Sequence, residues 1–327
     1  MKLIVSVAKQ VLLIASVVPL LLIGCSDVNN GVTSTDQAPG EKINPPTSPT
    51  IPPTAPSEPS AQSALVLPIS SPMRMAGLDT DTLLISDTSS NAIHLVDKST
   101  LEVERSIRFS GRATGIAHFN GLLFVGNKTT QSVDAIDLDG VVQFQLGSQG
   151  DFPQVNDLAV DESAGLVYVL DTELVAIKAF HATDGSYAGL TISGLPMIRP
   201  TALAVDQTDG RLLVSDYGPE PKVVVFDSNG AEIAADGFTG AVLGFSMPQG
   251  LFVDDHQNVY LAEARLGEVL VINADKVLVT SFGTRGIAEG ELLYPLDVFV
   301  DSVTRDIFVA DNQNSRITVF LGGGVVP

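Results

Sequence analysis

Pro295-Leu296-Asp297-Val298-Phe299-Val300-Asp301, then, after a polar turn, Ile307-Phe308-Val309-Ala310-Asp311, then Asn312-Gln313-Asn314-Ser315-Arg316-Ile317-Thr318-Val319-Phe320: this stretch decides the fold. Three short apolar runs, rich in Val, Ile and Phe and separated by Asp, Asn and Ser, predict three consecutive strands joined by tight turns. The pattern recurs upstream. Pro200-Thr201-Ala202-Leu203-Ala204-Val205-Asp206 leads to Leu212-Leu213-Val214-Ser215-Asp216 in the same way. No sustained helical periodicity interrupts it.

The end of the second strand marks each unit. It falls at Asp87, Asn127, Asp171, Asp216, Glu263 and Asp311, at separations of 40 to 48 residues. That is a propeller-blade period, and six units fit. Most units add a fourth, alternating strand, such as Val141-Val142-Gln143-Phe144-Gln145-Leu146. Alternation suits an outer strand with one wet face, whereas first strands apolar on both faces suit an inner position between blades. Asp139-Gly140 and Asn229-Gly230 are hairpin turn signals. The expected fold is all-β: a six-bladed β-propeller of four-stranded antiparallel blades.

The last unit ends after its third strand. A spare apolar run, Ala64-Leu65-Val66-Leu67-Pro68, precedes the first unit. We expect it to pair with the last unit and close the ring, covering an otherwise open sheet edge.

Phe282-Gly283, Gly286, Gly290, Pro295, then Val309-Ala310-Asp311 and Asn314-Ser315-Arg316-Ile317 resemble an NHL repeat. The resemblance is strongest over residues 282–320 and good in the units starting at Pro200 and Pro248. It is weaker in the first three, where Arg112 and Val155 stand in the proline position. Over residues 64–320 it implies six blades of four strands.

The N-terminus carries a different signal. Lys2 and Lys9 precede an apolar run from Val11 to Ile23, which is shorter than a membrane-spanning helix needs. It ends in Leu22-Ile23-Gly24-Cys25, which resembles the lipobox of bacterial lipoproteins. The resemblance implies a signal peptide over residues 1–24, lipid on Cys25 including palmitate, and a membrane anchor in the cell envelope. Ser26 in place of Asp favours the outer membrane in a two-membrane host. Residues 25–63, with Pro45-Pro46, Pro52-Pro53, Pro56 and Pro59, read as a disordered tether. The propeller domain then covers residues 64–327.

Composition narrows the function. The chain has 327 residues, 38 acidic against 18 basic, for a formal net charge of −20. Such a surface repels nucleic acid. The single cysteine excludes an internal disulfide, and the chain has no tryptophan. No nucleophile elbow, phosphate loop or dinucleotide fingerprint occurs.

The recurring second-strand acid is expected to accept backbone N–H bonds in the following turn, and Asp311 also to pair with Arg316. Asp79-Thr80-Asp81, Asp137-Leu138-Asp139-Gly140 and Asp254-Asp255 supply too few carboxylates for calcium and read as turns. The histidines His94, His118, His181 and His256 fall at different strand layers and are not expected to converge as zinc ligands.

Two residues past the proline position, the units carry Arg74, Thr114, Asp157, Ala202, Gly250 and Asp297. These positions should ring one mouth of the central channel. Arg74, Asp157 and Asp297 are therefore the candidate ligand-binding residues, against the plainer expectation that they bond one another. No cofactor is expected, with Ca²⁺ in the channel as the alternative. The leading expectation is a membrane-anchored envelope lipoprotein whose propeller binds a protein, peptide or small ligand. Its loops after the second strands, such as Tyr217-Gly218-Pro219-Glu220-Pro221-Lys222 and Ala264-Arg265-Leu266-Gly267, vary on a regular scaffold. The rival is a lactonase-, lyase- or hydrolase-like propeller enzyme with a channel metal.

Overall fold

A computed structural model describes residues 67–194, 196–322 and 324. The expected signal peptide, Cys25 and the tether lie outside the described residues, as do residues 64–66 of the closing run.

Six four-stranded antiparallel sheets follow one another along the chain. The first five run in sequence order from an innermost to an outermost strand. Blade 1 comprises Pro72–Gly77, Thr82–Asp87, Ala92–Asp97 and Val103–Arg108. Blades 2 to 5 repeat it, with innermost strands Ala113–Phe119, Val155–Asp161, Pro200–Val205 and Pro248–Val253. Blade 6 takes Pro295–Val300, Ile307–Asp311 and Arg316–Phe320 from the end of the chain, and Leu67–Pro68 from before blade 1. The six innermost strands contact one another in order and blade 1 returns to blade 6, so the ring is closed. The protein is a six-bladed β-propeller.

The closing strand is short. Leu67 pairs with Ile317 and Pro68 with Arg316. Pro68 cannot donate to a ladder, and it sits on an outermost strand, where that donor is least needed. Blade 4 has an equally brief outer strand, Phe238–Thr239, followed by one helical turn at Gly240–Leu243.

The core is divided by blade junction. Six apolar clusters fill the interfaces, one for each pair of neighbouring blades. Phe124, Phe152 and Val169 lie in that between blades 2 and 3, and Leu83, Phe308 and Val319 in that between blades 6 and 1. Fully burying a side chain of this size contributes about 1.5–3 kcal/mol. Outer strands are wetter than the alternation in the sequence implies: Val103–Arg108 exposes five of its six residues and buries Ile107.

Antiparallel strands put connections of two kinds on the two faces. Loops between blades, and between second and third strands, share the junction face. Turns from the innermost to the second strand share the opposite, hairpin face. Gly140 and Gly230 adopt φ of +83° and +84°, the left-handed backbone their hairpins require.

Candidate functional site

Every innermost strand begins with the same irregularity. Its first residue pairs with the second-strand acid or its Asn replacement, the ladder then slips, and pairing resumes three or fewer residues later. In blade 1 Pro72 opposes Asp87 and Met75 opposes Ile85. In blade 2 Ala113, not Arg112, opposes Asn127, and Ile116 opposes Val125. The residue equivalent to Arg74 is therefore Gly115 rather than Thr114. The proline that sets the frame elsewhere is missing there, so the sequence alone places the bulge one residue early.

The layer around the axis is thus Arg74, Gly115, Asp157, Ala202, Gly250 and Asp297. A bulge leaves strand N–H groups without ladder partners, and the two aspartates take them up across blade junctions. Asp157 Oδ2 accepts the Leu203 N–H of blade 4 at 3.0 Å, while its Oδ1 accepts Leu158 N–H at 2.9 Å. Asp297 Oδ2 accepts the Met75 N–H of blade 1 at 2.8 Å, across the seam where the ring closes. The preceding blade leaves room in both cases. A Cβ on Gly250 would lie 2.5 Å from Asp297 Cα, and one on Gly115 would lie 3.0 Å from Asp157 Cα. Hydroxyls link two other junctions: Ser86 Oγ donates to the Thr114 carbonyl and Thr201 Oγ1 to the Pro248 carbonyl, each at 2.8 Å.

Arg74 crosses this layer. Its Nε lies 3.2 Å from Asp157 Oδ1 in blade 3. Its terminal nitrogens donate to the Thr201 carbonyl in blade 4, at 2.5 Å, and to the Leu296 carbonyl in blade 6. Arg74, Asp157 and Asp297 are buried, at 2%, 5% and 4% exposure. The three predicted residues do come together: Arg74 pairs with Asp157, and all three bond the backbone. Together they form a plug.

One guanidinium faces two carboxylates in a dry setting, so one carboxyl tends to keep its proton. Burial raises the Asp157 pKa, opposed by Arg74. Asp297 is pushed up to about 8, chiefly by burial, against the pull of Arg74 and with added repulsion from Asp157. The layer does not fit Ca²⁺. Calcium wants six to eight oxygens, whereas here a guanidinium occupies the axis and the aspartates already accept N–H bonds.

The second-strand acids are structural. Those of blades 1 and 2 hold the following turn as expected, whereas Asp216 and Asp311 take backbone N–H groups of the preceding loop instead. Asp87 Oδ1 accepts Ser89 and Ser90 N–H, and Asn127 Oδ1 accepts those of Thr129 and Thr130. Asp216 and Glu263 reach back to N–H groups of the preceding loop, at Ile198 and Arg199 and at Ser246 and Met247. Asp311 meets Arg316 Nε at 2.7 Å, and the guanidinium continues to the Ala288 and Glu291 carbonyls. Asp79, Asp137 and Asp254 each accept two turn N–H groups, which makes them turn residues.

Among the described residues one group has metal-ligand spacing: Asp254, Asp255 and His256. Arg305 enters it, 2.6 Å from Asp254 and 3.1 Å from Asp255, and His256 Nδ1 lies 2.8 Å from Asp255. A resident guanidinium again disfavours a cation. No second histidine joins it.

Beyond the plug the channel widens. A cavity of about 820 Å³ begins at Met75 and reaches the hairpin-face turns of all six blades. At one register position, four residues after the partner of the second-strand acid, the innermost strands carry Ala76, Ala117, Ala159, Ala204, Phe252 and Phe299. The four alanines leave space, while Phe252 and Phe299 pack edge to face at 5.4 Å and form one wall. His118 in blade 2 and Glu162 in blade 3 line the opposite side, while Asp79 in blade 1 stands beside blade 6. His118 Nε2 accepts Gly121 N–H at 3.1 Å, and burial lowers its pKa against the pull of both carboxylates, so the ring is neutral. Sequence inspection missed this cavity. Its one legible signal is the run of alanines at equivalent positions, which is visible only once blade 2 is correctly framed.

No family model matches the chain, and no curated protein matches it. Among solved structures, a protein of unknown function from Bacteroides thetaiotaomicron VPI-5482 superposes with a TM-score of 0.61 at 15% identity, covering 78% of this chain and 70% of that one. Kuenenia stuttgartiensis hydrazine synthase gives 0.57 at 12% identity, over 83% of this chain and 99% of that chain. A streptogramin B lyase gives 0.57 at 10% identity, over 79% and 97%. At such identities the likeness is one of propeller fold.

Proposed function

We propose that this is a lipid-anchored envelope protein whose NHL-like propeller works as a binding module, with its small-ligand site in the hairpin-face cavity. One observation carries the choice of binding over catalysis. The polar groups at the axis, where a reactive set would have to converge, are spent on holding the blades together through Arg74, Asp157 and Asp297. The cavity has the size and half-apolar character of a ligand site. One lining hydroxyl, Thr208 Oγ1, does donate to a carboxylate, Asp206 Oδ1, at 2.6 Å, but the same oxygen accepts the Thr208 N–H, which makes the pair a turn contact. The Leu22-Ile23-Gly24-Cys25 motif supports the anchor, since two or more acyl chains make attachment stable.

The test is elemental analysis together with ligand titration of the purified protein. Binding of small molecules that is lost when Ala204→Phe fills the cavity is the expected result. A stoichiometric divalent ion lost on Asp157→Ala or Asp297→Ala would instead establish the metalloenzyme reading.

A protein or peptide partner is the second reading. Leu174, Ile198, Val242, Leu266 and Ile287 are exposed apolar side chains on junction-face loops of blades 3 to 6. Scattered apolar residues are ordinary, but an arc on one face is the kind of patch that marks contact surfaces. Crosslinking in cells should recover a defined partner, and Val242→Asp with Ile287→Asp should abolish its capture.

A further inference from the structure

We propose that the hairpin-face cavity selects a small organic cation, with an aromatic or alicyclic body and a protonated amine. This rests on the reading of the cavity as the ligand site.

The cavity is two-sided. Phe252 and Phe299, both half-buried, form its apolar wall on blades 5 and 6. At the same register, blades 1 to 4 supply only alanine. Space is thus opened opposite an aromatic surface, wide enough for a ring or fused ring. An aromatic face also attracts cations, and Lys98 already sits 5.8 Å from the Phe299 centroid.

The charge of the lining is not balanced. Asp79, Glu162, Asp254, Asp255 and Asp301 face two cations, Lys98 and Arg305. Both cations are committed across blade junctions. Lys98 Nζ lies 2.5 Å from Asp301 in blade 6, and Arg305 bridges to Asp254 and Asp255 in blade 5. Of the three carboxylates in excess, one belongs to the Asp254–Asp255 pair; the others are Asp79, which Lys98 also approaches, and Glu162, on the side of blades 1 and 3. His118 stands between them and is neutral, held by the Gly121 N–H, so it does not offset them.

A ligand spanning the cavity places its apolar body against Phe252 and Phe299 and its charge toward Glu162, with Asp79 adding to the field from blade 1. An anion there would meet uncompensated carboxylates. The overall charge of −20 adds the same preference at long range.

The test uses three near-isosteric probes on the purified full-length chain, followed by fluorine NMR at near-physiological salt: para-trifluoromethyl phenethylamine, the corresponding alcohol, and the corresponding propionate. The amine should bind tightest, about tenfold or more over the propionate, a factor worth about 1.4 kcal/mol. Glu162→Gln with Asp79→Asn should erase that preference while leaving the alcohol unaffected. Phe299→Leu should weaken amine and alcohol alike. Equal or tighter binding of alcohol or propionate, still sensitive to Phe299→Leu, overturns the cation preference and leaves the cavity as the ligand site. Binding of none of the three, or binding insensitive to Phe299→Leu, overturns both.

Discussion

At the residue scale, Arg74 is the most connected polar side chain at the axis, joining blade 1 to blades 3, 4 and 6. Its two carboxylate neighbours depend on it. Arg74→Met should cost about 3–5 kcal/mol, the usual penalty for stripping one partner from a buried ion pair. Chemical denaturation near pH 8 measures this. Asp297 makes a pH-linked prediction. Its folded pKa, about 8, lies above the ordinary carboxyl value, so the folded state holds a proton that the unfolded chain releases. The stability linked to it is fully present below pH 4 and is lost as pH rises toward and through 8. Relative to Asp297→Asn, which keeps an oxygen for the Met75 N–H, the wild type should therefore lose stability between pH 4 and 8. Denaturation curves that stay parallel across that range would refute the assignment. Gly250 supplies a steric test. Its Cβ would enter Asp297 backbone at 2.5 Å, so Gly250→Ala should destabilise by about 1–3 kcal/mol through overpacking. The same change at Gly115, whose Cβ would lie 3.0 Å from Asp157 Cα, should cost less.

At the element scale, the ring depends on its seam. Leu67–Pro68 contributes only two paired residues to blade 6. Asp297 to Met75 N–H and Lys98 to Asp301 add bonds across the same blade junction. Deletion of residues 64–68 removes the outer strand and uncovers the Arg316–Phe320 edge, so the melting temperature should fall by many degrees. An unchanged melt in calorimetry would mean that side-chain bonds alone close the ring. The Asp311–Arg316 pair shows how legible such devices are. Both residues stand out in the sequence motif, and they meet at 2.7 Å because the second and third strands place them directly opposite.

At the scale of the whole molecule, the two ends of the channel have diverged. The junction-face end is stoppered by Arg74, and the hairpin-face end opens into the 820 Å³ cavity. A binding module displayed on a tether gains from this rigidity, because a preformed site spends little of its binding energy on ordering. The proposed anchor has its own test. Cys25→Ser should release the propeller into the soluble fraction or leave it unprocessed in the membrane. A mutant that is still processed and fractionates with membrane like wild type would remove the lipoprotein reading.

The sequence by itself determined the propeller, its six units, the antiparallel blades and the turn-holding role of second-strand acids such as Asp87. These follow from local periodicity and turn chemistry, which act over a few residues. It also named Arg74, Asp157 and Asp297 as neighbours, because a repeat places equivalent positions in one layer. Only the tertiary structure decided what that layer does. The bulges leave backbone N–H groups facing the next blade, and whether a carboxylate meets such a group or a ligand depends on the approach of strands tens to hundreds of residues apart. The same holds for the framing of blade 2, where Ala113 takes the place of proline, and for the cavity. Six side chains from six blades define that space, and ring closure alone sets Phe252 and Phe299 against the alanines, and Glu162 across from them.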